Sequence, residues 1–468
     1  MRHNSLTMNR RAFFSSMGGA AVAAAQTAAA KPNVVILLAD DLGWADVGFH
    51  SSEIRTPNLD GLARQSLEIE RFYSCPLCSP TRSALMTGRY PLRFGIQYTV
   101  VRPWVPYGLP LDERTMADAF RAGGYETAMA GKWHLGHFER RYLPGARGFD
   151  HSYGHVNGAI DYFTHERDGG LDWHRNGQML EEKGYSTSLV GNEAVARIEK
   201  RNKQKNLFLY VPFNAPHGPL QAPKETEATY AATIADPKRR TFAAMVTELD
   251  TQVGRILDAL DREKMTDNTI VLFFSDNGGP TGSGAKNHPL RGAKGSTWEG
   301  GMRVPALLRY PGVLAEGLRV PQVMAAIDVL PTLAGAAGIG AAGGKPLDGK
   351  NLWPALKARR AEPREDLFFA VDSANRTHYA VYSGEWKLVR EEAPPGKPNS
   401  GPATVALFRI ATDPREATDL APQQAPVVQA LTAKLEAWKR LHPAHGLRHS
   451  GAAPAGFQAP KSWVGAAR

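Results

Sequence analysis

The chain has 468 residues, 43% of them hydrophobic and 22% charged, with a formal net charge of +10. This balance excludes a disordered polymer and suits one large domain with a smaller companion. The only cysteines are Cys75 and Cys78, which excludes a disulfide-stapled scaffold, and the scattered Lys and Arg residues form no long run. No nucleic-acid partner is expected, because basic helices and zinc spacing are missing, but a basic surface favours anionic ligands.

Residues 1–30 read as a Tat-type export signal. Arg10-Arg11-Ala12-Phe13-Phe14 is a twin-arginine pair, residues 17–25 are weakly apolar, and Thr27-Ala28-Ala29-Ala30 supplies small residues for cleavage. The stretch is too short and too interrupted for a membrane span, and no span is expected elsewhere. The expected location is periplasmic or secreted.

Asn33–Ala39 is a continuous apolar run, the pattern of a strand buried on both faces. Residues 127–130, 207–211 and 269–274 repeat it, with helical patterns at 111–122, ended by Gly123-Gly124, and at 242–260. The alternation predicts an α/β fold over residues 31–355, with a large central, mostly parallel sheet flanked by helices. Past residue 355 the pattern changes. Short strand-like runs at 365–371, 379–382, 386–390 and 405–410 and a helix over 426–441 predict a small C-terminal antiparallel sheet with one helix, residues 356–445. A Pro/Gly-rich loop at 393–402 interrupts it. The tail, 446–468, has no periodicity and is expected to wrap the surface or to be mobile.

Polar groups follow each main-domain strand: Asp40-Asp41, Lys132 to His134, Asn214 to His217, and Asp276-Asn277. In doubly wound sheets, sites form beyond the carboxyl ends of the strands, so these four groups are expected to converge. Cys75-Pro76-Leu77-Cys78 is a C-x-x-C, for which redox and zinc chemistry are the first readings. Its continuation changes that. Cys78-Ser79-Pro80-Thr81-Arg82, followed by Ser83-Ala84-Leu85-Met86-Thr87-Gly88-Arg89, resembles the signature of the sulfatase family. The resemblance extends to Gly131-Lys132-Trp133-His134-Leu135-Gly136, Ala215-Pro216-His217, Ser275-Asp276-Asn277-Gly278-Gly279, and the Arg291 to Gly301 segment with Lys294.

That resemblance implies that a maturation enzyme oxidises Cys78 to formylglycine, whose hydrate is the nucleophile. It implies a metal held by Asp40, Asp41, Asp276, Asn277 and the modified Cys78. These are hard oxygen ligands, which suit Ca²⁺ or Mg²⁺ rather than Zn²⁺, and the family implies calcium. Lys132, Lys294 and His217 are expected to bind the sulfate, with His217 protonating the leaving oxygen and His134 taking a proton as sulfate is expelled. Arg82 is expected to orient the nucleophile. Cys75 is expected to be structural.

Within the family the likeness is greatest to the arylsulfatase B type, the N-acetylgalactosamine-4-sulfatases. It is carried by residues 39–50 with Ile54-Arg55-Thr56-Pro57, by Asp161 to Arg167 and by Pro219-Leu220-Gln221; residues 168–184 depart from it. The implied partner is a sulfated carbohydrate or glycosaminoglycan fragment, with aryl sulfates as further substrates. Two alternatives stay open: a phosphate or phosphonate monoester hydrolase of the same superfamily, and a non-catalytic protein that binds sulfated glycans through an unmodified Cys78.

Overall fold

Strand β1 (Asn33–Ala39) is fully buried, and its side chains alternate between two apolar layers. Val35, Leu37 and Ala39 enter one layer, and Val34, Ile36 and Leu38 enter the other. A strand with two apolar faces needs helices on both sides. In the computed structural model it has them, with Pro57–Arg64, Ser186–Lys200 and Pro237–Arg262 against the first layer. Cys78–Thr87, Met116–Ala122 and Ala326–Ala337 cover the second. The structure describes residues 31–341, 344–373, 375–394, 401–448 and 452–468; the expected export signal and part of the 393–402 loop lie outside them. Residues 31–468 form one compact unit.

The remaining strands of the main domain are β2 (Leu67–Tyr73), β3 (Glu126–Lys132), β4 (His151–His155), β5 (Glu166–Arg167), β6 (Gly170–Leu171), β7 (His174–Arg175), β8 (Gln178–Met179), β9 (Leu207–Pro212), β10 (Thr269–Ser275), β11 (Ala306–Arg309) and β12 (Leu318–Ala325). Ten of the twelve form one sheet, in the order β12-β2-β11-β10-β1-β9-β3-β4-β7-β8, and β5 and β6 form a separate hairpin. The sheet is mixed. Its centre, β10-β1-β9-β3-β4, is parallel throughout, as the sequence predicts. Antiparallel pairings appear at β11 and at the β7–β8 edge.

The predicted 111–122 helix starts later, at Met116, because Thr115 and Asp118 form a reciprocal capping box that fixes its first turn. The 242–260 helix is longer, Pro237–Arg262, with Asp236 as N-cap and a proline in the first turn.

Strands β13 (Leu367–Asp372), β14 (Thr377–Ser383), β15 (Trp386–Glu392) and β16 (Thr404–Arg409) form the antiparallel C-terminal sheet. Helix Ala425–Lys439 packs on it through Leu431, Leu435 and Trp438. This sheet shares a core with Tyr73, Met302 and Ile327 of the main domain. At that seam Lys387 of β15 is buried between Glu299 (3.0 Å) and Glu416 (2.6 Å), and Tyr73 also donates to Glu299 at 3.1 Å. The tail wraps the surface. Leu171 donates to Lys461 O and Trp463 N donates to Leu171 O, both at 3.0 Å, and Arg468 pairs with Phe138 and Arg140. Trp463 and Val464 are buried.

The Lys387 seam makes a stability prediction. Lys387→Met takes from Glu416 its buried cation and leaves Glu299 only the more distant Arg303 (3.8 Å), and urea unfolding is expected to show a loss of about 3–5 kcal/mol. A loss below about 1 kcal/mol, the value of an exposed pair, would contradict this account.

Candidate active site

Because β10, β1, β9 and β3 stand side by side and parallel, the polar residues that follow them meet at one edge of the sheet. Asp40 N donates to Ala215 O, and Asp276 N donates to Ala39 O, both at 3.0 Å, so the three loops leave the sheet in register. Asp41 adopts a left-handed conformation (φ 71°), one that aspartate tolerates better than most residues. At the end of β3, a Cβ on Gly131 would come within 1.9 Å of Pro212 O; only glycine allows β9 this close just before Lys132.

Asp40, Asp41 and Asp276 are fully or almost fully buried at this edge. Three cations face them. Arg82 donates to Asp276 Oδ2 from Nε (3.1 Å) and Nη2 (2.8 Å), and to Lys132 O from Nη1 (2.9 Å). Lys132 Nζ lies 2.5 Å from Asp40 Oδ2, and Lys294 Nζ lies 2.6 Å from Asp41 Oδ1. Burial opposes ionisation of Asp40, but Lys132, His217, Arg82 and Lys294 outweigh it and hold the carboxyl well below its usual range. Asp276, by contrast, is pushed up by burial and by the Asp40 charge.

Cys78 opens the helix Cys78–Thr87, directly above the carboxylates. Its Sγ is 3.4 Å from Asp40 Oδ1 and 3.6 Å from Lys294 Nζ. Burial, and then Asp276 and Asp40, push the thiol far above its ordinary value. At neutral pH the sulfur is therefore a protonated thiol and a poor nucleophile. Cys75 is buried and unpaired with Cys78; burial raises it to about 12. No Cys75–Cys78 disulfide is formed.

The two histidines are held in defined tautomers. A carbonyl only accepts, so His134, with Nε2 3.0 Å from Val101 O, carries its proton there, and its buried Nδ1 has no partner. Burial, then Lys132 and Arg82, lower it well below the usual histidine value. His217 places Nδ1 2.6 Å from Gly218 O, which leaves Nε2 facing Asp41 at 3.7 Å. Burial, then Lys294, lower it to about 4.

All the expected site residues are brought together: Asp40, Asp41, Cys78, Arg82, Lys132, His134, His217, Asp276, Asn277 and Lys294. The donor set fits a hard divalent cation. The ligand atoms of Asp40, Asp41, Cys78 and His217 lie within 4.8 Å of one another. Asn277 Nδ2 donates to Asp41 (2.8 Å), while its buried Oδ1 has no partner and is a free oxygen donor. Asp40 and Asp41, with Asp276 beside Asp41 and the spare Asn277 oxygen, are hard oxygen donors of the kind that hold calcium or magnesium, while the Cys78 sulfur and His217 nitrogen in the same cluster are softer donors.

Sequence reasoning missed several groups here. Ser79 accepts from Val101 N (3.1 Å) and donates to His134 O (3.0 Å), clamping the Cys78 segment to the His134 loop. His155, at the end of β4, pairs in register with Lys132; its Nδ1 is 3.0 Å from Asn157 O, and its buried Nε2 has no partner. Ser79 was findable, as part of the signature. His155 was not, because β4 (HSYGH) has no apolar run. The Asp161 to Arg167 and Pro219 to Gln221 segments, which carry part of the family likeness, do meet: Gln221 Nε2 donates to Asp161 (2.6 Å), and Tyr162 hydroxyl bonds Asn214 O and His217 O, both at 2.7 Å.

With this geometry in hand, comparison with known proteins gives a consistent picture. Residues 32–339 match the family model described as Sulfatase, and residues 293–441 match that of the N-sulphoglucosamine sulphohydrolase C-terminal region. The chain is 32% identical to arylsulfatase J of Mus musculus over 459 residues, covering 87% of this chain and 76% of that protein. It is 31% identical to N-acetylgalactosamine-6-sulfatase of Homo sapiens, covering 86% and 84%. Among solved structures, Ps i-CgsB in complex with a k-i-k-neocarrahexaose superposes with a TM-score of 0.83 at 33% identity, covering 90% of this chain and 95% of that one. By the family model and by these relatives, the chain belongs to the sulfatase family.

Proposed function

We propose that this protein hydrolyses sulfate esters of sulfated carbohydrates through a formylglycine made from Cys78, with Ca²⁺ as the cofactor. The observation that carries the reading is Cys78 itself. A protonated thiol wedged between carboxylates and Lys294 has no use as a thiolate, but the position suits an oxygen nucleophile in a cationic cage. When present, the cation, held by Asp40, Asp41, Asp276 and Asn277, supplies positive charge to the sulfate, and the formylglycine hydrate supplies the attacking oxygen.

The protein's own groups do the rest. Lys132 and Lys294 offset charge on the three outer sulfate oxygens. His217, fixed through Nδ1, presents Nε2 to the leaving oxygen; the negative charge of a bound sulfate favours the protonated ring, which then donates. His134, held neutral with a free Nδ1, accepts a proton there as the product leaves. Arg82 fixes Asp276 and the Lys132 backbone around the nucleophile.

Relatives named for N-acetylgalactosamine support a substrate sugar of that type, and their 6-sulfatase names make both 4- and 6-sulfates candidates. Export on the Arg10-Arg11 leader and prior action of a maturation enzyme belong to the same proposal. Cys78 is only 2% exposed, so the modification is expected to precede folding.

The test is sulfate release by the mature protein from N-acetylgalactosamine 4-sulfate, its 6-sulfate and 4-nitrophenyl sulfate. Turnover that vanishes in Cys78→Ala is expected, with matched phosphate esters cleaved more slowly. Faster cleavage of the phosphates would favour the phosphomonoesterase reading, and tight binding without turnover the glycan-binding one. His217 gives a second prediction. His217→Ala should slow sugar-sulfate hydrolysis roughly 100- to 10,000-fold, but 4-nitrophenyl sulfate much less, because its leaving group needs little acid assistance. Equal losses on both would remove His217 from the proton-donor role.

A further inference from the structure

Three separate segments hold His134. Its backbone adopts a left-handed conformation (φ 57°), which is uncommon outside glycine and persists only when the surroundings enforce it. Here they do. Its N–H donates to Val156 O (3.1 Å), and its carbonyl accepts from the Ser79 hydroxyl (3.0 Å). Ser79 is fully buried, directly follows Cys78, and also accepts from Val101 N (3.1 Å). Val101 O in turn takes the ring through Nε2 (3.0 Å). Ser79, Val101 and His134 thus close a triangle in which every pair is hydrogen-bonded.

Gly158 lies against the same ring. A Cβ at this position would stand 2.5 Å from both Cε1 and Nε2 and 3.1 Å from Nδ1, and real Cβ atoms do not approach within 3.0 Å. The position therefore needs glycine for space. Its own place is set by Asp172, a buried carboxylate that accepts from Val156 N (2.9 Å) and Asn157 N (2.8 Å). With Nε2 on Val101 O, Nδ1 is the ring nitrogen left to take a proton, and it has no partner.

We propose that Gly158 and Ser79 are positioning residues of the hydrolysis. Together they hold the His134 ring in one tautomer and one orientation, and Ser79 ties that orientation to position 78. Their effect falls on the half of the reaction in which sulfate leaves. There Nδ1 gains a proton, and sulfate departs with the electron pair of its breaking bond. The half in which the alcohol leaves is served by His217 instead. This rests on the reading of His134 as the proton acceptor.

Gly158→Ala tests the proposal in the mature enzyme. To regain a contact of 3.4 Å the ring must shift by about 1 Å, a displacement that costs roughly 100-fold in rate. With 4-nitrophenyl sulfate, kcat is expected to fall by about that factor and KM with it. The ratio kcat/KM, set by the steps up to alcohol release, stays at the wild-type value. Release of 4-nitrophenol then opens with a burst of about one equivalent per aldehyde-bearing site. A fall in kcat/KM equal to that in kcat, with no burst, is the mark of general structural damage and overturns the proposal; so does an unchanged kcat.

Ser79→Ala is read without turnover, because Ser79 lies within the signature around Cys78 and its loss would confound maturation with catalysis. Nitrogen NMR of isotope-labelled histidine, in protein with Cys78 left as a thiol, is expected to show the His134 ring of the wild type as a single Nε2–H tautomer. The signal is assigned through His134→Gln. In Ser79→Ala and in Gly158→Ala both tautomers should appear. An unchanged tautomer in either variant removes that residue from the clamp. The same spectra decide when the wild type turns over no sulfate ester, or when His134→Gln keeps full kcat. Mixed tautomers in the variants then keep the clamp while the reading of His134 as acceptor fails.

Discussion

Three carboxylates, Asp40, Asp41 and Asp276, lie buried within reach of one another, and the remaining architecture answers to that fact. Buried charges of one sign repel strongly and are tolerated only when opposite charges and hydrogen bonds meet them. Arg82, Lys132 and Lys294 do so in the protein itself, and a bound divalent ion would extend the same compensation. Each cation comes from a different part of the chain: Arg82 from the helix that Cys78 opens, Lys132 from the end of β3, and Lys294 from the loop after β10. Charge balance thus requires that all three segments be in place together.

The C-terminal sheet takes part through that last loop. Gly295 N donates to Pro76 O (2.9 Å), which ties the Lys294 loop to the segment that carries Cys78. Further along the loop, Arg291 lies over the Trp298 ring at 3.7 Å and donates to Glu416 O at 3.3 Å. Glu299 then enters the buried Lys387 network, with its own N–H on Glu416 (2.8 Å). The small sheet is therefore part of the scaffold of the candidate site, because it holds the loop that delivers Lys294 to Asp41.

Much of the site was legible because of one coincidence of pattern and topology. β1, β9 and β10 are continuous apolar runs, and the polar residues just after them stand out in the sequence. β3 was seen only in part, since Glu126, Gly131 and Lys132 disguise its ends. β2 carries Glu68, Glu70 and Arg71, and β12 has an exposed first half; both are strands because of their partners rather than their own composition. Lys294 lies in a loop and was read only through the family resemblance; His134 stood in the polar group after β3, and only its role came from the resemblance. Val101 and the docked tail had no local signal at all. Their placement depends on contacts such as Val101 with His134 and Trp463 with Arg167, which bring together residues far apart in the chain.

The central claim is that the oxygen nucleophile is made from Cys78. It is tested most directly by mass spectrometry of the tryptic peptide 72–82 from catalytically active protein, after trapping with a hydrazide. The account predicts an aldehyde at position 78 that captures the hydrazide, with Cys75 left as a thiol. An active preparation in which every copy of that peptide carries an unmodified Cys78 would contradict it.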